Sequence, residues 1–340
     1  MTEAAAPVVE PGSWRRLAIG AFAFVFALRV PHFRAVLPIE QTWLLLAPIL
    51  AVCAIVAWRQ GGKVWIALAA VAVAGVLLSQ PVGDPDSPYG WLARGWALLL
   101  AASFGLVCLF APTEAFFPRA LSALAVAMAL AFGLVLVSPG GPVRVGNLMS
   151  AELNRRNDET LTRSRSAQAV PEIKKIIEGS PRLKWIYEET DRQIAAIPRW
   201  TSLLIPALLA VESLMAMALA WAIFQRLSAV AIGPPLGRLK EFRFNDQLIW
   251  GVAVGASIYL LPTFAEGRNA GLNLLLFFGV LYVLRGAGIL AWMTKSRMVG
   301  AILVVMAISP VWPFITALAF GIGLGDTWLD WRTRVPAKQR

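Results

Sequence analysis

Long apolar runs joined by short polar segments extend along most of this chain, and that pattern restricts its fold more than any single residue does. About 20 mainly apolar residues in a helix span the roughly 30 Å hydrocarbon core of a bilayer. Stretches that read this way are 17–38, 42–58, 64–80, 91–111, 120–138, 200–224, 247–265, 270–293 and 298–325. The first is interrupted at Arg29, Pro31, His32 and Arg34, and the last contains Pro310 and Pro313. A signal peptide competes as a reading of 17–28, but no small-residue cleavage site follows and apolar spans continue at once. Hydrophobic residues make up 58% of the chain and charged ones 15%, against about half and about a quarter in soluble domains. The expected fold class is all-α, a polytopic integral membrane helical bundle of eight or nine spans.

The domain organisation follows from where the apolar runs stop. Residues 1–143 and 200–325 are expected to hold membrane helices, 144–199 an amphipathic helical connector, and 326–340 a basic tail. The connector is nearly balanced, with eleven Lys and Arg against eight Asp and Glu. Within it, Pro171 and Gly179 bracket a short helix, since proline suits a first helical turn and glycine an end. A second helix is expected from Pro181, with Leu183, Ile186, Tyr187, Ile194 and Ile197 near one face and Lys184 paired with Glu188. Such helices lie on a bilayer surface or present a docking face to a partner.

A net charge of +11 in a chain this apolar points to cytoplasmic loops rather than to nucleic-acid binding. Segment 81–90 has Asp84 and Asp86 but no basic residue and is placed outside, which puts 59–63 and 226–243 inside. The basic tail, with Arg332, Arg334, Lys338 and Arg340, then fits a cytoplasmic position only if one segment fails to cross. A multi-pass protein of the bacterial inner membrane is the expectation.

One histidine, His32, and two cysteines, Cys53 and Cys108, cannot build a His/Cys zinc site or a bis-histidine haem site. A Ser-His-Asp triad would depend on His32 alone, and no P-loop lysine motif is present. The glycines from Gly321 to Gly325 sit inside an apolar run with no preceding strand, so they are not a dinucleotide loop. No metal, cofactor or catalytic residue is expected, and the chain reads as a non-enzyme.

Charges within spans are costly and are functional candidates. Glu212 lies twelve residues after Trp200, and Arg285 ten before Lys295. At about 1.5 Å per residue both fall near the bilayer midplane, where they could pair. Asn273 and Tyr282 share the Arg285 helix. These four residues are the expected small-molecule site, the alternative being that Arg285 snorkels and Glu212 is protonated or tied by a hydrogen bond. Elsewhere, Gly251 with Gly255, Gly321 with Gly325, and Ala23 with Ala27 allow close helix approach. Asn245 or Asp246 is expected to cap a helix start. The stretch 325–332, with Trp328 and Trp331, reads as a boundary device.

Taken in order, Ile197-Pro198 before a span, the run 244–250, Asn273 with the run 281–286, and the run 324–332 make this chain resemble the YybS-like predicted membrane proteins of bacteria. That resemblance implies a membrane domain without an assigned activity. It also implies an uncharged polar residue such as Gln where this chain has Arg285. More distantly, the hydropathy pattern is similar to the substrate-capture subunits of energy-coupling-factor transporters. Those are helical bundles without their own ATPase that dock on a partner through small residues, for which Ala23 and Ala27 would serve. The expected partners are the lipid bilayer, a small-molecule ligand and a membrane protein. The leading expectation is a transport-type binding subunit, and the alternative a scaffold for envelope or division machinery that uses 144–199.

Overall fold

Small residues on the apolar helices dictate how closely those helices pack. The computed structural model describes residues 14, 17–18, 36–84, 87–228, 230, 232–293 and 312–334. Most of the expected first span, with Ala23, Ala27 and His32, lies outside the described residues, as do Asp86, 298–311 and the end of the basic tail. Among the described residues every regular element is a helix. The chain divides into two compact units, Met1–Leu236 and Gly237–Arg340.

Unit 1 contains α1 (Thr42–Arg59), α2 (Val64–Ser79), α3 (Tyr89–Phe110), α4 (Phe116–Val137), α5 (Gly141–Gln168), α6 (Pro171–Glu178) and α7 (Pro181–Leu227). Helix α1 packs against α2, α3 and α7. Gly105 of α3 makes one close approach possible, because a side chain there would run into Val52 of α1. Alanines such as Ala47, Ala51, Ala97, Ala101, Ala120 and Ala127 are buried at these crossings. Small residues let backbones close in where lipid offers no hydrophobic contrast. Phe104, Phe116 and Trp221 fill the far end with rings about 6 Å apart, Phe104 edge-on to both others. Helix α6 has the predicted bounds, and Lys184 and Glu188 of α7 meet at 4.0 Å.

Helix α7 joins what the sequence presents as two elements. It runs unbroken for 47 residues, roughly 70 Å, through Pro198 and Pro206. Its first part belongs to the hydrophilic connector and its second to the apolar bundle. Trp200 therefore does not mark the start of a helix.

Unit 2 contains α8 (Ile249–Leu260), α9 (Arg268–Met293), α10 (Trp312–Leu329) and α11 (Trp331–Arg334). As predicted, Asn245 is a cap: its side-chain oxygen accepts from the Gln247 N–H at 3.0 Å. The expected span at 247–265 is instead a 12-residue helix, about 18 Å long, followed by a tight turn over Pro262–Gly267. Pro262 and the non-helical backbone of Phe264 end it short of a full crossing. Five described helices are long and apolar enough to cross a membrane: Thr42–Arg59, Tyr89–Phe110, Phe116–Val137, Pro181–Leu227 and Pro262–Met293, the last counting the turn with α9. Val64–Ser79 and Pro313–Leu329 are shorter apolar helices.

The tightest crossing is between α9 and α10. A Cβ on Gly286 would collide with the Ala319 carbonyl, and one on Gly323 with the Tyr282 carbonyl. These obstacles are backbone and cannot rotate away. Gly286→Ala should therefore lower the detergent-solubilised protein's unfolding temperature, by an amount corresponding to about 1–3 kcal/mol of overpacking. Gly279→Ala, on the same helix but facing open space, should leave it unchanged.

Candidate functional site

A non-helical strap, 37–40, precedes α1 and brings backbone groups into a buried setting, where each needs a partner. The partners come from three other helices. Arg156 of α5 donates to the Leu37 carbonyl at 3.1 Å, and the Tyr89 hydroxyl of α3 donates to the Pro38 carbonyl at 2.7 Å. The Ile39 N–H donates to Glu212 Oε2 of α7 at 3.1 Å. Beside Glu212, Ser213 Oγ accepts from the Trp96 indole N–H at 3.0 Å.

Arg156 is the hub. Its Nη2 donates to the Tyr89 hydroxyl at 2.6 Å, its Nε to Glu152 Oε1 at 2.8 Å, and its guanidinium lies 5.1 Å from the Tyr89 ring centre. Glu40 adds a carboxylate oxygen at 3.6 Å. Glu152 also accepts from Arg155, which in turn pairs with Glu159. Gly83 leaves room for this cluster. Its φ of 69° favours glycine, and a Cβ there would come within 2.7 Å of the Tyr89 ring. Burial pushes the Glu152 carboxyl up, but the Arg155 and Arg156 hydrogen bonds outweigh that and hold it below the usual carboxylate range.

Helix α5 supplies this chemistry through its spacing. Met149, Glu152, Leu153, Arg156, Asn157 and Leu161 are its buried residues, three or four apart, so they form one stripe. Two of those positions are charged, which is expensive unless the charges meet partners. The strap and Tyr89 provide them.

Three buried oxygens around the strap lack a hydrogen-bond partner: Glu212 Oε1, Asn157 Oδ1 and Thr42 Oγ1. Glu212 is 2% exposed. Leaving such a group unsatisfied costs about 1–3 kcal/mol, and more when it is charged.

The remaining expected site residues lie on α9 of unit 2. Arg285 is fully buried and meets Asp326 at 2.9 Å and Asp246 at 2.6 Å. Those carboxylates, rather than Glu212, are its counter-ions. Asp326 also accepts the Trp331 N–H at 3.1 Å, and Phe244 lies 5.3 Å under the guanidinium. Tyr282 packs between Phe244 and Phe320, and Asn273 donates to the Asn269 carbonyl one turn back at 2.7 Å. Glu212 thus takes part in a unit 1 network, while Arg285, Tyr282 and Asn273 lie on α9 of unit 2 with the partners named above.

Glu212 bonds to a residue ahead of α1, while its neighbour Ser213 meets Trp96, seven residues or about 10 Å into α3. Asp246 precedes α8 and Asp326 lies three residues before the end of α10, so Arg285 also sits in a layer of helix ends. Helix ends leave backbone donors and acceptors free, which is why buried charges find partners there.

Sequence reasoning missed Glu152, Arg156 and Tyr89, although the stripe on α5 was there to be read. It also missed Arg119, 1% exposed at the start of α4. Arg119 donates to the carbonyls of Ala111, Pro112, Glu114 and Ile232 at 2.8–3.0 Å and lies 4.9 Å from the Trp221 ring centre. Three of these carbonyls lie in the turn that follows α3, where negative partial charge favours a cation, and that of Ile232 lies in the segment after α7.

Because the folded Glu152 carboxyl lies below its unfolded value, its stabilising contribution is complete above the unfolded value and is lost as pH falls through the folded one. Glu152→Gln should therefore lower the unfolding temperature near pH 6 and leave a smaller loss between pH 6 and pH 3.5 than wild type shows. Parallel pH profiles would contradict the Glu152 pairing.

Compared with known proteins, the family model described as "Predicted membrane protein (DUF2232)" matches residues 24–327. No curated protein and no solved structure matches the chain.

Proposed function

Starting from a chain that belongs to the DUF2232 family of predicted membrane proteins, we propose a non-enzymatic, transport-type protein of the bacterial inner membrane that binds a small molecule in unit 1. The proposal retains eight or nine spans in the full chain. The observation that carries it is the unpartnered Oε1 of Glu212, buried beside the strap, Arg156 and Tyr89. Ionisable residues within membrane segments are rare and tend to mark substrate and ion pathways. Glu212 is the anchor of this reading. Arg285 and Tyr282 hold unit 2 together, and Asn273 lies outside the site.

A second reading, a scaffold for envelope or division machinery, is favoured by a different observation. Ile176, Trp185 and Ile186, on α6 and the start of α7, stand 62%, 59% and 42% exposed on the hydrophilic connector. Such anchors suit a protein partner or a lipid headgroup layer.

Native mass spectrometry of the protein released from detergent separates these readings. The binding proposal predicts a small-molecule adduct on wild type that is at least tenfold depleted in Glu212→Ala and retained in Asn273→Ala. An adduct equally abundant in Glu212→Ala, or none in any preparation, would overturn it. A stoichiometric membrane-protein partner lost on changing Ile176 and Trp185 to Ser would favour the scaffold.

A further inference from the structure

Two contacts fix how α7 runs against α3. Ser213 meets Trp96, and the Trp221 ring lies 6.0 Å from that of Phe104. Both pairs are 117 positions apart, so the two helices run in the same direction and keep one register. Tyr89, the first residue of α3, then lies level with Pro206. Helix α7 starts at Pro181, 25 residues earlier, and so extends about 37 Å past the end of α3. It does so on the side of segment 81–90, which its charge places outside.

Helix α5 braces this extension. Arg156 holds the strap, and two turns further on Ser164 Oγ donates to Asp191 Oδ1 of α7 at 3.0 Å. Gln168 donates to Ser164 Oγ at 3.0 Å, and Arg165 lies 3.8 Å from Asp191. Leu161 of α5 and Ile194 of α7, each three residues from these contacts, are buried. The two helices form an arm, and α6 sits at its end, where the chain passes from α5 to α7.

The tip carries exposed apolar side chains. No residue of α6 is buried, and Ile173 and Ile176 share one side of it. Trp185, Ile186 and Tyr187 stand exposed where α7 begins. A helix lying in the headgroup layer would bury such residues in lipid. That layer is only about 5–8 Å thick on each side of the hydrocarbon core, far less than the reach of the arm. Pro198 and Pro206 lie within α7 without breaking it, so the arm does not turn flat onto the bilayer. Apolar patches on an element held in water mark protein contacts.

Charge selects the protein. Residues 171–199 hold six Lys and Arg against five Asp and Glu. Lys174 with Glu178 and Lys184 with Glu188, at 3.8 and 4.0 Å, flank the apolar residues and are more than half exposed. A strongly acidic or basic partner would meet like charges on this surface, whereas a second tip offers both signs to both signs. A two-fold pairing lets the lysines of one copy meet the glutamates of the other.

We propose that the arm tip, with Ile173, Ile176, Trp185 and Ile186, is the contact through which two copies of this chain pair beyond the bilayer surface. Glu212 and the strap take no part in it, so the pairing stands or falls apart from the small-molecule reading. The scaffold reading starts from the same side chains and assigns them a different protein.

The full chain in detergent should sediment as a dimer in equilibrium with monomer. The dissociation constant should rise at least tenfold when Ile176→Glu and Trp185→Glu are combined. Both side chains are exposed, so these changes do not threaten the fold. On mild oxidation Ile176→Cys should give a disulfide-linked dimer, while Cys53 and Cys108 are buried and stay out of the reaction. Val143→Cys, exposed near the foot of α5, should not. In lipid nanodiscs a nitroxide attached at Ile176→Cys should be relaxed by a water-soluble nickel chelate rather than by oxygen dissolved in lipid. Relaxation by oxygen would place the tip in lipid and overturn the proposal. A wild type that stays monomeric at micromolar concentrations, or a dimer equally stable in the double variant, would overturn it as well. A different protein bound by that monomeric wild type and lost in the double variant would leave the scaffold reading standing in its place.

Discussion

The guanidinium of Arg156 is the interaction on which unit 1 depends. The strap ahead of α1 cannot bond to itself, because its residues are not helical and Pro38 has no N–H to give. Its Pro38 carbonyl is buried and its Leu37 carbonyl half-buried, and both take donors from the helices around them. Arg156 reaches the strap while also holding Tyr89 and Glu152, and so fastens α5 across the starts of α1 and α3. Removing one partner of such a buried set costs about 3–5 kcal/mol, since the other charge is stranded. The same logic explains why Glu212 has one bonded oxygen and one free: the strap offers it a single N–H.

The arrangement recurs at two other places in the chain. Arg119 collects carbonyls where α3 ends, and Arg285 collects Asp246 and Asp326 where α8 begins and α10 ends. In each case a helix supplies the cation and the ends of neighbouring elements supply the acceptors. An apolar helix contributes nothing polar along its length, because its own ladder uses every backbone group. Polar chemistry in such a protein therefore concentrates where ladders stop.

This explains which parts could be read from the sequence. Apolar runs, the Pro171 and Gly179 bounds, the Asn245 cap and the close approach at Gly251 and Gly255 are local patterns visible in the letters, whereas of the expected Gly321 and Gly325 pair the first faces open space and Gly323 between them takes the close crossing. The membrane character was legible for the same reason. The partner of Arg285 was not, because Asp326 is 41 residues away and approaches only when Gly286 and Gly323 let α9 and α10 close together. The start of α7 was hidden as well: its hydrophilic and apolar parts form one helix from Pro181, so that Trp200 is not where the helix begins. The charged stripe of α5 was legible as periodicity. Its significance came only with the strap, whose last residue, Glu40, lies 109 positions before the stripe begins at Met149.

The exchange rate of the Ile39 amide tests the central claim most directly, since that proton joins the strap to Glu212. In wild-type protein it should be strongly protected, and in both Glu212→Ala and Arg156→Ala protection should collapse while amides within α3 remain slow. Fast exchange of Ile39 in wild type, or protection unaffected by either change, would show that the strap is not held as described.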